Sequence, residues 1–289
     1  MDRREFIKYT AFAAGALTLS PYAELLGDVA KKKYANDIVI LGKTGIKVSR
    51  LAMGTGTNGF AHQSEQSRMS EGKGLAELLR SAYDHGINFW DSADQYGTQP
   101  DLKEALKSIP REKVVILTKT ESRTADGMKS DLDRFRKEIG TDYIDIILLH
   151  MMTDSDWPTR RQGAMEVLEK ARQDGVIHAH GVSCHTIGAL QVASKTDWVQ
   201  VDLARINPAA VYMDADVQTV GSVLKKMHDD GKGVVGMKIF GAGRLIDRRD
   251  ECLRYVLGLD FVDAFSIGQR SQDEMMDLIT RIPAASTVG

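Results

Sequence analysis

Four ionisable side chains stand at the carboxyl ends of three consecutive apolar runs. Asp91, Lys119 and His150 each close or directly follow a run, and Tyr96 lies five residues after Asp91. Side chains at such ends converge if the runs are parallel, neighbouring β-strands. An ammonium such as Lys119 lowers the pKa of a nearby phenol, and Asp91 can hold that ammonium charged. Because His150 can donate to the same substrate oxygen, the set could polarise a carbonyl and protonate it as hydride arrives.

Each of the four residues also has an ordinary structural explanation. A strand-end Asp91 could cap a helix, Tyr96 could belong to the core, Lys119 could lie at the surface, and His150 could be a buried histidine with satisfied hydrogen bonds. Their occurrence together on successive strand ends favours a proton-transfer site.

Eight apolar runs alternate with helical patterns along the chain, which predicts an α/β fold: a (β/α)8 TIM barrel with a short N-terminal β-hairpin. The hairpin spans 38–42 and 46–49, and a single barrel domain is expected over residues 33–289. The eight runs are 50–54, 88–91, 114–118, 144–150, 178–183, 199–206, 233–240 and 264–268. The helical patterns are 70–86, 124–140, 159–175, 214–231 and 271–282.

Residues 1–32 differ from the rest and resemble a twin-arginine export signal. Two arginines lead into a short run of apolar and small residues, too short to span a bilayer. The expected partner is the twin-arginine export machinery, and the expected location is bacterial: periplasmic, or tethered to the outer side of the membrane. Cleavage stays open because no Ala-x-Ala is well placed, so membrane contact is expected only through an uncleaved signal. An amphipathic or disordered tail is the alternative.

Composition narrows the possible partners. The net charge is −2, without a basic stripe, which argues against nucleic acid. Cys184 and Cys252 lie far apart and form no metal-ligand pattern, so no metal is expected. The stretch 54–59 matches G-x-G-x-x-G, but a polar segment rather than a helix follows it, which disfavours a Rossmann phosphate loop.

Four segments taken in order resemble the aldo-keto reductase superfamily: Asp91-Ser-Ala-Asp-Gln-Tyr96-Gly, Leu117-Thr-Lys119, Leu148-Leu-His150 and Gly181-Val-Ser-Cys184. The resemblance implies a barrel that binds NADP, or else NAD, without metal and reduces a small-molecule aldehyde or ketone. It also implies that Tyr96 is the general acid and base, that Lys119 and Asp91 tune it, and that His150 orients the carbonyl.

The resemblance also implies a set of cofactor contacts at the barrel mouth. The residues are Gly56, Thr57, Ser183, Cys184, Gln200, Met237, Lys238, Phe240, Gly241, Gly243, Gly268, Gln269, Arg270 and Glu274. Cys184 replaces the usual Asn, and Met237 replaces an aromatic residue. Glu274 would repel the 2′-phosphate of NADP while Arg270 could attract it, so the cofactor choice stays open.

Three aromatic residues, Trp90, Trp157 and Phe60, are candidates for the substrate pocket, although Trp90 could equally pack in the core. The expected function is an NAD(P)H-dependent oxidoreductase that reduces an aldehyde or ketone, with a sugar-type carbonyl as one option. The alternative is a nicotinamide-binding barrel that senses or binds with little turnover. A metal-dependent barrel hydrolase or isomerase lacks a ligand set.

Overall fold

The computed structural model describes residues 32–69 and 73–286. The predicted export signal in residues 1–32 lies outside the described residues except for Lys32, so it stays a prediction. Within the described ranges, no helix is both long and apolar enough to cross a membrane.

Eight parallel strands close into a barrel in the order β10-β3-β4-β5-β6-β7-β8-β9, which confirms the predicted fold class. Each predicted apolar run overlaps a barrel strand, because a strand buried on both faces needs apolar residues on both faces. The barrel strands are β3 (Leu51–Gly54), β4 (Phe89–Asp91), β5 (Val115–Thr120), β6 (Ile144–Met152), β7 (Ile177–Cys184), β8 (Val201–Arg205), β9 (Gly233–Met237) and β10 (Ala264–Gly268).

Helices follow the strands and cover the outside of the barrel. Three of the helices were not predicted from the sequence because they are short and their apolar residues are only weakly periodic; they span Gln99–Leu106, Ile187–Lys195 and Arg249–Gly258. The helices within the described ranges are α1 (Lys73–Asp84), α2 (Gln99–Leu106), α3 (Ala125–Ile139), α4 (Trp157–Arg160), α5 (Gln162–Gln173), α6 (Ile187–Lys195), α7 (Val217–Asp229), α8 (Arg249–Gly258) and α9 (Gln272–Ala285).

The predicted N-terminal hairpin is present and closes the amino end of the barrel. Strands β1 (Ile38–Ile40) and β2 (Lys47–Ser49) pair antiparallel. Leu41 and Val48 are fully buried and belong to the same apolar cluster as the residues inside the barrel. The hairpin therefore fills the lower opening, which leaves the carboxyl ends of the strands as the open mouth.

Two apolar layers hold the fold together, one inside the barrel and one between strands and helices. Alternation along a strand sends neighbouring residues into different layers. In β4, Phe89 belongs to the inner layer and Trp90 to the outer one. The next residue, Asp91, ends the strand at the mouth, paired in register with Gly54 and Leu117. Parallel neighbours β4, β5 and β6 thus bring the predicted reacting groups together.

Candidate active site

Asp91 and Lys119 form a buried ion pair at the centre of the mouth. The Lys119 ammonium, fully buried, donates to a carboxylate oxygen of Asp91 and, at 2.7 Å, to the carbonyl oxygen of Ser92. The hydroxyl of Ser266 on β10 donates to the second carboxylate oxygen of Asp91 at 2.6 Å. Both charges are therefore paired and hydrogen-bonded, as burial of ions requires.

Tyr96 approaches this pair from the loop after β4. It ends a short 3₁₀ helix, Asp94–Tyr96, and Gly97 follows with a φ of 65°. The Lys119 ammonium lies 3.4 Å from the Tyr96 hydroxyl oxygen and 4.6 Å from the centre of its ring. A Cβ on Gly56 would lie 2.2 Å from that ring, and one on Gly59 2.3 Å from it. These glycines thus make the space in which Tyr96 sits.

The pKa of the Tyr96 phenol corrects one sequence expectation. Lys119 does favour the phenolate, but burial of the hydroxyl has the larger effect and raises the pKa of Tyr96 above its ordinary value. Burial lowers the pKa of Lys119, but Asp91 and Tyr96 outweigh it and raise that pKa. At neutral pH the pair is therefore a protonated phenol beside a charged ammonium, which suits a proton donor.

His150 ends its apolar run on β6 and faces Tyr96 edge-on. The two ring centres lie 5.8 Å apart at an interplanar angle of 84°. Burial, followed by the charge of Lys119, holds the pKa of His150 well below its usual value. His150 is therefore neutral and has one ring N–H to donate. Its Nδ1 has no hydrogen-bond partner among the described residues.

These pKa shifts predict a broad pH plateau for carbonyl reduction. The pKa of His150 is lowered and that of Tyr96 is raised from their ordinary values, so both groups titrate outside the neutral and weakly alkaline range. We expect kcat/KM for an uncharged aldehyde to stay nearly constant from about pH 7.5 to 9, one unit inside the ordinary values of the two groups, in steady-state reduction. A break inside that window would show that one of the two groups titrates there and would contradict the burial argument.

A cavity of about 490 Å³ extends from the reacting groups across the mouth. At one end it is lined by Asp91, Tyr96 and Ser266. We call the other end the adenosine end, because the family resemblance implies that the adenosine of a cofactor would lie there. Its charged residues are Glu65, Arg249, Arg270, Glu274 and Asp277. The predicted cofactor residues that line the cavity are Gly56, Thr57, Met237, Lys238, Phe240, Gly243, Gly268, Gln269, Arg270 and Glu274.

The cavity has features that fit an extended dinucleotide. Gly243 has a φ of 90°, and a Cβ there would meet no atom within 4 Å, so bare backbone faces open space. The buried Gln269 side chain has an acceptor oxygen without a partner among the described residues. A cleft with exposed backbone and a few aimed polar groups is typical of cofactor sites. The residues present therefore fit a nicotinamide dinucleotide.

At the adenosine end both arginines are already paired. The Arg270 guanidinium donates to Glu274 at 2.6 Å and to Glu65 at 3.1 Å. Arg249 donates to Asp277 at 3.1 Å. Three carboxylates thus surround two engaged guanidinium groups, which bears on the choice between NAD and NADP.

The aromatic pocket residues lie elsewhere than the sequence suggested. Trp90 is fully buried in the outer layer. Side chains alternate along the strand, so Trp90 lies on the face opposite to that of Asp91. Trp157 is also in the outer layer and donates its ring N–H to the carbonyl of Ala189 at 3.3 Å. Phe60 is largely exposed on the loop after β3 and is not among the cavity-lining residues. The expectation that the two tryptophans line the pocket was wrong.

Four predicted cofactor contacts also lie outside the cavity wall. The Cys184 side chain joins the outer apolar layer, and Ser183 accepts a hydrogen bond from the Met151 N–H at 3.1 Å. Gln200 precedes β8 at its amino end, where its side-chain oxygen accepts from the His180 N–H at 3.3 Å. Gly241 is buried within a turn. Gln200 and Cys184 are thus turned away from any ligand in the cavity.

Sequence reasoning missed several residues that hold the site. Ser266 and the backbone carbonyl of Ser92 complete the ion pair. Ser266 lies in no recognisable motif, and Ser92 lies within the segment 91–97 but was given no role. The fully buried Gln66 accepts from the Thr57 N–H at 2.9 Å and donates to the Thr57 hydroxyl at 2.7 Å. This pair shapes the loop after β3, and no local pattern marks it.

The remaining candidate groups have structural partners. His178 contacts Asp145 at 3.2 Å, and His180 contacts Glu169 at 2.8 Å. Both cysteines are buried and free. Among residues 32–69 and 73–286, no group of three His, Cys, Asp or Glu side chains could hold a metal ion.

Known proteins resemble this chain over most of its length. It is 26% identical over 243 residues to a D-threo-aldose 1-dehydrogenase from a Pseudomonas species, covering 72% of this chain and 69% of that protein. An NAD/NADP-dependent indole-3-acetaldehyde reductase from Schizosaccharomyces pombe is 26% identical over 166 residues, 56% of each chain.

A solved structure and a family model agree with these relatives. An aldo-keto reductase from Bacillus halodurans in its holo form matches with a TM-score of 0.69 and 18% identity, covering 85% of this chain and 90% of that one; this supports the fold. The model of the Aldo/keto reductase family matches residues 52–277, a stretch that contains the ion pair, Tyr96 and His150. The chain therefore belongs to the aldo/keto reductase family and is an NAD(P)-dependent oxidoreductase.

Proposed function

We propose that this protein reduces an aldehyde or ketone with a nicotinamide cofactor and that Tyr96 gives the proton. The observation that carries the proposal is the position of Lys119, paired with Asp91 and 3.4 Å from the Tyr96 hydroxyl. A bound reduced nicotinamide would supply hydride to the carbonyl carbon.

The residues of the chain supply the remaining steps. His150, neutral and beside Tyr96, donates a hydrogen bond to the carbonyl oxygen and polarises it. Tyr96 donates its proton to that oxygen, and the resulting phenolate is stabilised by the Lys119 ammonium. Asp91 keeps Lys119 charged and oriented, and Ser266 holds Asp91 in place. Solvent then reprotonates Tyr96.

Isotope transfer tests this reaction. Cofactor deuterated at its transferable position should give an alcohol that carries deuterium at the former carbonyl carbon, detected by mass spectrometry. Unlabelled alcohol, or no alcohol from a broad panel of aldehydes and ketones, would contradict the reaction. A sugar-type carbonyl belongs in the panel because a relative is named as an aldose dehydrogenase.

We expect NADH to bind more tightly than NADPH, by roughly tenfold for one uncompensated charge repulsion at a partly exposed site. Arg270 is engaged by Glu274 and Glu65, so a 2′-phosphate would approach carboxylates instead of a free guanidinium. Fluorescence titration of the cofactor-stripped protein with each cofactor measures the two dissociation constants.

Two variants sharpen this comparison. Glu274→Gln removes the charge but keeps an acceptor at the start of α9, so it should narrow the preference for NADH. Asp273→Asn removes the same charge from an exposed neighbour that does not line the cavity, and it should leave the preference unchanged. Tighter binding of NADPH than of NADH by the unmodified protein would show that Arg270 changes partners.

A binding or sensing barrel remains the second candidate function. Two departures from the family pattern, Cys184 and Met237, favour it mildly, and the complete set of reacting groups argues against it. Tight nicotinamide binding without turnover on a wide carbonyl panel would support this candidate.

Export is part of the proposal and rests on the sequence of residues 1–32 alone. Because the twin-arginine route carries folded proteins, the protein could leave the cytoplasm with its cofactor bound. Its cofactor would then be recycled between an oxidisable and a reducible substrate. Loss of nicotinamide on simple dialysis would count against this part of the proposal.

A further inference from the structure

Lys238 is a cationic residue of the cavity wall that the proposed proton transfer does not use. It directly follows Met237, the last residue of β9, and it lines the cavity. The side chain is partly buried, and within residues 32–69 and 73–286 its ammonium has no hydrogen-bond or ion-pair partner. Partial burial of an unpaired charge costs free energy, and an anion bound from outside the chain would offset that cost.

The backbone holds Lys238 in an uncommon conformation. Its φ is 57°, in the left-handed region that non-glycine residues rarely adopt. The fully buried Asn207 donates its side-chain N–H to the Lys238 carbonyl at 3.2 Å, and Gly241 donates its backbone N–H to the same oxygen at 2.8 Å. Backbone outliers that their surroundings hold in place cluster at functional sites.

Strand register places Lys238 at the reacting end of the cavity. Phe265 on β10 pairs with Gly236 on β9, and the next residues along these strands are Ser266, which donates to Asp91, and Met237, which Lys238 follows. Burial lowers the pKa of Lys238, and the nearby charges of Lys119 and Arg205 lower it further, while Asp91 opposes them. All three residues are at the ends of their strands, at the mouth. Lys238 therefore lies one residue beyond the neighbour of Ser266, at the reacting end of the cavity that it lines.

The charge of Lys238 also lowers the pKa values of two histidines near the reacting groups. His150, the proposed donor to the carbonyl oxygen, has its pKa lowered by burial, with Lys238 among the further causes. The partly buried His185 has its pKa lowered to about 4, again by burial first and then by Arg205 and Lys238. Lys238 and Tyr96 also line the same cavity.

The other charges at this end cancel one another. Lys119 is paired with Asp91, and Arg205 is paired with Asp214. Both histidines are neutral at pH 7 because of their lowered pKa values. Lys238 therefore leaves one net positive charge beside the reaction centre.

We propose that Lys238 binds an anionic group, a carboxylate or a phosphate, carried by the carbonyl substrate itself. This rests on the proposed function and narrows its substrate class to anionic aldehydes or ketones. The competing role for Lys238 is a contact with the cofactor pyrophosphate, which the family resemblance implies. The position of Lys238 next to the neighbour of Ser266, which holds Asp91, favours the substrate.

Matched pairs of aldehydes test the proposal on the full-length protein. One pair is para-carboxybenzaldehyde and its methyl ester; the other is glycolaldehyde phosphate and glycolaldehyde. For each pair kcat/KM is measured with the wild type, with Lys238→Met, which keeps the length of the side chain, and with Lys238→Arg, which keeps its charge. Titration of reduced nicotinamide fluorescence gives cofactor affinity for each variant without relying on activity.

We expect the wild type to prefer the anionic member of at least one pair. Lys238→Met should reduce that preference by roughly tenfold or more, the usual effect of losing a hydrogen bond to a charged group, and Lys238→Arg should restore part of it. The pair that responds identifies the group as carboxylate or phosphate.

Three results would overturn the proposal. In the first, the preference for the anionic aldehyde is unchanged in Lys238→Met. In the second, Lys238→Met weakens cofactor binding and lowers kcat/KM equally for both aldehydes of a pair, which would assign the ammonium to the cofactor. In both cases the proposed function would stand. If no aldehyde were reduced although nicotinamide bound, the proposed function would fail and this proposal with it.

Discussion

Replacing Tyr96 with phenylalanine should lower kcat for aldehyde reduction by about 10²- to 10⁴-fold, the usual contribution of a positioned acid. The substitution removes one oxygen and keeps the ring that fills the space beside Gly56 and Gly59. Cofactor affinity, measured by fluorescence titration, should therefore change little. Single-turnover oxidation of bound reduced nicotinamide is the rate to follow, because it isolates chemistry from product release.

An exposed tyrosine provides the control for this substitution. Tyr212 contacts the guanidinium of Arg244 through its ring, which phenylalanine retains, so Tyr212→Phe should have nearly wild-type kcat. Equal rates for wild type and Tyr96→Phe would show that another group, or water, supplies the proton.

Replacing Lys119 with methionine should cost both activity and stability. Lys119 is fully buried, and its loss leaves the Asp91 carboxylate with Ser266 and no cation. Breaking a buried ion pair from one side costs about 3–5 kcal/mol in the free energy of unfolding. The Tyr96 phenolate also loses its stabilising charge, so we expect kcat to fall by about 10²- to 10³-fold. Urea unfolding and single-turnover kinetics measure the two effects separately.

The double variant Asp91→Asn with Lys119→Met separates the two roles. It removes both charges, so the free energy of unfolding should recover much of the loss, whereas kcat should stay low. Recovery of kcat along with stability would mean that Lys119 acts only by maintaining the fold. A stable Lys119→Met variant would show that water or another cation compensates Asp91.

Strand-end positions made the convergence of the candidate groups predictable from the amino-acid sequence. In a parallel barrel every strand ends at the same mouth, so Asp91, Lys119 and His150 had to approach one another once the apolar runs were identified as strands. Tyr96 was expected close by because it lies five residues after Asp91, on the loop that leaves the strand. The barrel itself followed from eight buried runs alternating with helices.

The supporting contacts could not be predicted because one joins residues far apart in sequence and the other follows no local pattern. Ser266 reaches Asp91 across 175 positions, and Gln66 shapes the loop at Thr57 through side-chain hydrogen bonds that leave no periodic pattern. The pKa of Tyr96 was expected to fall because a cation is near, but burial, which the sequence does not reveal, has the larger effect.

Two of the wrong assignments have a simple geometric origin. Strand alternation places Trp90 on the face opposite to Asp91, and this could have been inferred from the sequence alone. Gln200 was assigned from the family resemblance, but it stands before the first residue of β8, at the amino end of the strand. A resemblance without strand register therefore does not establish which end of a strand a side chain occupies.

The most direct test of the central claim is a rapid-mixing experiment. The cofactor-stripped protein is loaded with reduced nicotinamide and mixed with an excess of aldehyde while nicotinamide absorbance and fluorescence are followed together. We predict stoichiometric oxidation of the bound cofactor in the first turnover and continued turnover when free cofactor is supplied. A fluorescence change on aldehyde binding without loss of reduced nicotinamide would contradict carbonyl reduction and favour a binding or sensing role.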